Sequence, residues 1–171
     1  INAGLVGSEM CIRDSISGAH LNPFVSLSMY LTKRIKGKEL LTFIPAQILG
    51  CLLGVMLANV FFEHSIIELS TKNRDGFHIF LSEIVATFGL IFIIFATLKD
   101  GKTTVAACVA TYISAGYWFT SSTSFANPAV AIARTFTDSF TGINYLNTPT
   151  YIFAELLGAI VAIYIIKRLI K

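Results

Sequence analysis

Ser17-Gly18-Ala19-His20-Leu21-Asn22-Pro23-Phe24-Val25 and Ser124-Phe125-Ala126-Asn127-Pro128-Ala129-Val130 decide the fold of this 171-residue chain. In each stretch Asn-Pro precedes a helical segment too short to span a bilayer: Val25 to Thr32 after the first, Val130 to Phe136 after the second. Asn is a strong N-cap because its side-chain oxygen accepts from the orphan N–H groups of the first turn. Pro suits the first helical position, where no N–H is needed. Each Asn-Pro therefore predicts the start of a half-helix. One isolated Asn-Pro reads as an ordinary capped surface helix. Two carry more, because matching segments follow them: Ala46-Gln47-Ile48-Leu49-Gly50 and Ala154-Glu155-Leu156-Leu157-Gly158. The halves of the chain repeat weakly.

The rest of the chain is apolar. It is 54% hydrophobic and 13% charged, where a soluble domain carries about 25% charged residues. The apolar residues sit in long blocks. Leu40 to Phe62 and Thr103 to Phe125 hold no charge, Phe77 to Leu98 holds only Glu83, and Tyr145 to Ile166 only Glu155. Crossing a hydrocarbon layer takes about 20 residues of helix, so each block is a candidate span. Buried helices of a large soluble protein are the alternative, but four such blocks leave little chain to cover them. The expectation is an all-α integral membrane protein. Three spans between the Asn-Pro sites force the two half-helices to enter from opposite faces, as in inverted-repeat membrane folds.

Lys33, Arg34, Lys36, Lys38, Lys99, Lys102, Lys167, Arg168 and Lys171 fall on one side of such a topology. Lys72, Arg74 and Arg134 fall on the other. The rich side is expected to be cytoplasmic, with the C-terminus inside. The formal charge of +3 comes with no basic face interleaved with aromatics, so no nucleic-acid partner is expected. Cys11, Cys51 and Cys108 are too scattered for a metal cluster or a disulfide framework, and no signal peptide opens the chain. No cofactor or metal is expected, and no phosphate loop or nucleophile constellation suggests an enzyme.

Non-helical backbone at membrane depth is tolerated only where protein or a water-filled cavity surrounds it. Two half-helices meeting at the midplane aim their positive dipole ends at one spot, and their Asn side chains can donate hydrogen bonds there. Such a patch accepts the oxygen of a neutral solute and repels a cation or proton.

These residues resemble a known family. Ile16 to Val25 resembles the first signature loop of the aquaporin and aquaglyceroporin (major intrinsic protein) family, written SGAHxNPAV. Phe125 to Val130 resembles the second NPA loop, and Ser82-Glu83-Ile84-Val85-Ala86-Thr87-Phe88 the AExxGTF helix start. The resemblance runs from Ile16 to about Arg168. Tyr117-Trp118-Phe119-Thr120 through Thr137-Asp138-Ser139-Phe140-Thr141-Gly142-Ile143 looks most like a bacterial subgroup linked to arsenic resistance. The resemblance implies a homotetrameric, multi-pass channel of the bacterial inner membrane. Its permeants would be small neutral solutes: glycerol-like polyols, water and undissociated metalloid hydroxides. It implies a pore midplane of Asn22, Pro23, Phe24, Asn127, Pro128 and Ala129. Glu83 would be a buried acid bracing the second loop, with an unpaired interfacial carboxylate as the alternative.

The sequence also departs from the family pattern. Phe24 stands where the first NPA has Ala; its ring would either narrow the pore or pack outward between the half-helices. Val130 stands where most members place a filter Arg, and Arg134, one turn later, is not its equivalent. Ser124 and either Ala115 or Gly116 would complete the filter, with the fourth position near Asn2. These side chains are small, so the filter should be wide and weakly polar. Glu83 precedes Asn127 by 44 residues; the matching acid of the first half would precede Ile1. The expected layout is therefore one channel domain over 1–171. Residues 1–15 would be an aberrant or truncated start, 16–62 the rest of the first repeat and 77–171 the second, with the first span and most of the second lacking. Glu9, Arg13 and Asp14 in Ser8 to Ser15 read as a foreign junction or a local variation. Gly50 and Gly54 suit close helix contact, within the subunit in preference to a subunit interface. His20 reads as a vestibule or loop histidine, His64 and His78 as solvated, and Tyr117 and Trp118 as interfacial. A passive channel is thus the leading expectation. The alternatives are a non-conducting fragment and a coupled secondary transporter, which would need an ionisable residue on its path.

Overall fold

The computed structural model describes residues 18–169, and all the regular structure among them is helical. Asn2, Cys11, Ile16, Ser17 and the stretch Ser8 to Ser15 lie outside the described residues, as does the expected start over 1–15. In chain order the helices are α1 (Pro23–Leu31), α2 (Gly37–Phe61), α3 (Phe77–Thr97), α4 (Lys102–Phe119), α5 (Pro128–Ala133) and α6 (Thr148–Leu169). Helix α3 is extended by a 3₁₀ turn, Leu98–Asp100, and α5 by another, Arg134–Phe136.

The two short helices begin where their capping chemistry places them. Asn22 and Asn127 are both extended, and each accepts from the N–H two residues on, at 2.9 Å from Phe24 and 3.1 Å from Ala129. Pro23 and Pro128 open the first turns. Helix α1 has 9 residues, roughly 13 Å of rise, which is less than half of a hydrocarbon layer. It ends where Lys33 turns left-handed at φ 61°, next to the basic cluster.

Among the described residues three helices are long and apolar enough to cross a membrane: Gly37–Phe61, Phe77–Asp100 and Thr148–Leu169. The block Thr103 to Phe125, expected to be a fourth span, differs. Its helix α4 stops at Phe119 after 18 residues and falls short of that measure. The remaining residues form the non-helical descent to Asn127, and Lys102, Thr103, Thr104, Thr111 and Ser114 dilute the helix that precedes it.

The main core joins α1, α3 and α6: Phe24, Val25 and Met29 meet Ala86, Leu90, Ile91, Ile94 and Phe95, with Ala159, Ala162 and Ile166 opposite. Helices α3 and α6 approach closely because Ala154, Gly158 and Ala162 recur every four residues on one face. A Cβ on Gly158 would run into the Ile84 carbonyl oxygen and the Phe88 backbone nitrogen. Gly50 and Gly54, expected to serve such contact, have nothing within 4 Å; Gly158 holds that role in this chain. The long connection after α2 lies along the segment after α5. Ser70 N–H donates to Thr135 O at 3.0 Å, Asn144 N–H to Lys72 O at 2.8 Å, and Asn59 Nδ2 to Phe136 O at 2.9 Å.

Candidate functional site: the paired Asn-Pro loops

The loops before the two half-helices follow the same backbone path. Ala19 and Leu21 have φ of 47° and 50°, and Ser124 and Ala126 have 52° and 46°. In both loops the residues three and one before Asn are left-handed. Non-glycine residues in that region cost about 1–3 kcal/mol each and persist only when surroundings over-determine them. Here the surroundings include the other loop. Asn22 Nδ2 donates to Ala126 O at 2.6 Å, and Asn127 Nδ2 donates to Leu21 O at 2.9 Å. Each Asn thus uses its oxygen to cap its own helix and one amide hydrogen to tie the opposite loop. The second amide hydrogen of each has no further partner among the described residues. It sits where two half-helix N-termini converge, so the place is rich in donors and positive potential.

The second loop is held from behind by two acids. Glu83 on α3 is wholly buried, and its two oxygens accept from Phe125 N–H at 2.9 Å and Ala126 N–H at 2.8 Å. Glu155 on α6 is equally buried and accepts from Asn127 N–H at 2.9 Å. Three successive backbone N–H groups therefore end on carboxylates. Among the described residues the first loop has a lighter arrangement. Gln47 Nε2 donates to Ser26 Oγ at 2.9 Å, and His20 Nδ1 lies 3.2 Å from the same hydroxyl. Gln47 and Glu155 occupy matching places in the repeated segments, though the repeat by itself assigned neither a bracing role. Glu155's grip on Asn127 carried no other signal in the sequence.

The expected filter residues are only partly brought together. Gly116 faces Ser124 so closely that a Cβ would come 2.8 Å from Ser124 Oγ. Ala115 lies on the exposed side of α4, so of the two alternatives Gly116 is the one beside Ser124. Ser124 is buried and its hydroxyl has no partner among the described residues. Val130 is half-buried on α5. Phe24 is buried in the main core beside Val25 and Met29, the packed alternative of the two. Pro23, Pro128 and Ala129 are buried in the first turns of their helices. Asn2 lies outside the described residues. Arg134 was set aside by the sequence reading, yet its guanidinium lies 4.2 Å from the centre of the Phe125 ring, in the second loop.

Cavities flank the loop pair. One of about 470 Å³ is lined by Gly18, His20, Met29, Arg34 and Lys102. It lies at the end where α1 finishes and α2 begins. Another, of about 530 Å³, is lined by Asn59, His64, Arg134, Thr137, Ser139 and Thr141, at the opposite end of α2. Among the described residues no three His, Cys, Asp or Glu side chains group as a metal site.

Sequence comparison places this geometry among known proteins. A family model described as major intrinsic protein matches residues 3–121. The chain is 43% identical over 156 residues to aquaglyceroporin AqpS of Rhizobium meliloti (strain 1021), covering 91% of this chain and 67% of that protein. It is 29% identical over 156 residues to aquaporin-4 of Bos taurus, covering 86% of this chain and 48% of that protein. It is 27% identical over 159 residues to the probable aquaporin TIP3-2 of Oryza sativa subsp. japonica, covering 90% and 60%. The chain thus spans between about half and two thirds of the length of these relatives.

Proposed function

The chain belongs to the major intrinsic protein family, and on that premise we propose that it forms a passive transmembrane channel for small neutral solutes. The reciprocal asparagine bonds carry the proposal. They hold Asn22 and Asn127 against each other's loop, with one amide hydrogen of each left for a passing oxygen. The converging half-helix dipoles repel a cation at the same place, so a water or polyol oxygen is accepted and a proton is not. The pore midplane is Asn22, Pro23, Asn127, Pro128 and Ala129, with Phe24 packed behind it. The filter is Val130, Ser124 and Gly116. Val130 supplies neither charge nor donor, so the constriction suits a three-carbon polyol or an undissociated metalloid hydroxide as well as water. The relative named aquaglyceroporin favours the same class.

The basic residues after α1, after α3 and at the end of α6 favour a cytoplasmic C-terminus, and the family resemblance favours a bacterial inner membrane. A homotetramer follows from family resemblance. A coupled transporter is disfavoured because Glu83 and Glu155 are committed to backbone N–H groups rather than to a solute path.

Stopped-flow light scattering on liposomes holding the full-length gene product tests the reading. Water efflux and glycerol uptake should both exceed those of empty liposomes. Rates equal to empty liposomes for both solutes would leave the non-conducting alternative standing.

A further inference from the structure

Three cations meet at one notch where the helices end. Lys33 and Arg34 stand in the turn that closes α1, Lys167 stands in the last turn of α6, and all three border a cavity of about 320 Å³. Its other walls are mainly apolar: Leu31, Phe95 of α3 and Ile166 of α6. The three cationic side chains are exposed, and among the described residues none of them makes a side-chain hydrogen bond or an ion pair.

The turn after α1 fixes two of them. Lys33 is left-handed at φ 61°, and Arg34 N–H returns to Met29 O at 2.8 Å, so the chain folds back over the end of the half-helix. The Arg34 guanidinium then lies 5.7 Å from the centre of the Phe95 ring. Thr32 N–H donates to Ser28 O at 3.1 Å and Lys33 N–H to Tyr30 O at 2.9 Å. The last carbonyls of α1 are thereby satisfied, which blunts the negative end of its dipole and leaves the cations to set the local potential. Nothing beside them restores the balance. Lys36, Lys38, Lys99, Lys102 and Arg168 share this end, whereas its acids among the described residues are Glu39 and Asp100, and Glu39 already accepts from Lys36 N–H at 2.6 Å. The arrangement lacks an anion.

The apolar part of the notch says which anion. Ile160, Tyr164 and Lys167 are spaced i, i+4 and i+7, so they lie on one face of α6, and Ile160 and Tyr164 are exposed. That face runs from the notch toward the middle of the span. A phosphate held by the cations would have hydrocarbon attached to it laid along this face, as the basic side chains keep their heads at the headgroup level. A free phosphate would use the cations and leave the apolar walls bare.

We propose that Lys33, Arg34 and Lys167 form a binding site for the phosphate of an anionic phospholipid, with an acyl chain lying on the Ile160 and Tyr164 face of α6. The bound headgroup bridges the turn after α1 to the end of α6 and so fastens the half-helix from the lipid side. The site requires only that the chain spans a bilayer, and it goes beyond the channel reading.

The test follows thermal unfolding of the full-length gene product in dodecyl maltoside micelles as lipid is added. A ligand that binds only the folded state raises the unfolding temperature with its concentration. Dioleoyl phosphatidylglycerol should raise it to a plateau. Dioleoyl phosphatidylcholine has the same chains and no net charge, and inorganic phosphate has charge without chains; each should do little at equal concentration. Lys33→Gln and Lys167→Gln should each raise the half-saturating concentration of phosphatidylglycerol about fivefold, which corresponds to about 1 kcal/mol per cation at an anionic lipid surface. Arg34→Gln should raise it at least as much, and the two lysine variants decide the matter where Arg34→Gln fails to fold. Lys38→Gln removes a cation from the same end but not from the notch, and should leave the value unchanged. Equal shifts in Lys38→Gln and the notch variants would show diffuse attraction without a site and overturn the proposal. Phosphatidylcholine acting as strongly as phosphatidylglycerol would overturn it too, and inorganic phosphate acting as strongly would make the notch a free-anion site instead of a lipid one. No flux enters the measurement, so its failure is distinct from failure of the channel reading.

Discussion

Among the described residues the two Asn-Pro loops share a path but not a support. Both have left-handed residues one and three before Asn, both cap a half-helix with the Asn oxygen, and each Asn ties the other loop. Behind the second loop stand two wholly buried acids that take three successive N–H groups. In the first half the matching position is Gln47, a neutral amide that reaches a serine hydroxyl on α1. The caps and the cross-loop ties are symmetric, whereas among the described residues the bracing differs between the halves. Along the non-helical descent from Thr120 to Ala126 the backbone has N–H groups to satisfy in a dry interior, and carboxylates supply acceptors.

The comparison breaks first, and most visibly, at Glu83. Glu83→Ala orphans two buried N–H groups, at about 1.5–3 kcal/mol each for bonds to a charged acceptor, so about 3–6 kcal/mol together. The expected outcome is loss of both solute fluxes and a marked fall in thermal unfolding temperature in detergent. Glu83→Gln should lose roughly half as much, because its carboxamide keeps one acceptor oxygen. A Glu83→Ala protein of wild-type stability would show that the acid does not brace the loop.

The next test sets the two matched positions against each other. Glu155→Leu removes the acceptor of one buried N–H, about 1.5–3 kcal/mol, whereas Gln47→Leu removes a neutral bond of about 0.5–1.5 kcal/mol. Chemical denaturation of both variants should rank Glu155→Leu as the more damaging. The reverse ranking would mean that the two halves are braced alike by contacts other than these.

The third test uses the residues three beyond each Asn, both valine. Val25 is packed in the main core and Val130 is half-buried on α5. Arg at position 25 buries an unpaired charge and should prevent folding. Val130→Arg should fold and place a fixed charge with several donors in the filter. Paired vesicle measurements should then show glycerol flux cut more than water flux. Equal loss of both would mean that Val130 does not set the constriction.

The smallest expected effect lies where the connection after α2 meets the segment after α5. The backbone N–H of Thr71 donates to the half-buried Asp138 and, with Ser70 and Lys72 nearby, holds its carboxyl below the usual carboxylate range. A depressed carboxyl stabilises the fold above its unfolded value of about 3.9, and that contribution disappears as pH falls through its lower folded value. Asp138→Asn should therefore lie slightly below wild type in stability at neutral pH, and the difference should close on acidification below about pH 4. A gap that persisted there would point to shape rather than charge.

Much of this was legible in the sequence because it depends on short-range chemistry. Asn followed by Pro caps and opens a helix wherever it stands, and both half-helices begin at the expected residue. Long uncharged blocks read as candidate spans, and three of the four hold helices long and apolar enough to cross a membrane. In the fourth the helix stops at Phe119, because an uncharged run does not disclose where helix ends and dry loop begins. Gly50 and Gly54 looked like packing glycines by spacing alone, but spacing is indifferent to which helix face meets a neighbour; Gly158 does. Phe24 could be assigned to pore or core only once α3 and α6 were in place around it.

What the sequence by itself determined is the membrane class, the two half-helices, their inverted arrangement and the buried acid at position 83. Each follows from residue type and order along the chain. What only the tertiary structure decided is where the polar atoms end. That Asn22 binds the carbonyl of Ala126 and Asn127 that of Leu21, that Glu155 joins Glu83, and that Lys33 and Arg34 meet Lys167 at one notch are facts about atoms many residues apart. In a dry interior every donor must find an acceptor, but which acceptor it finds depends on which distant segments the packing brings within about 3 Å.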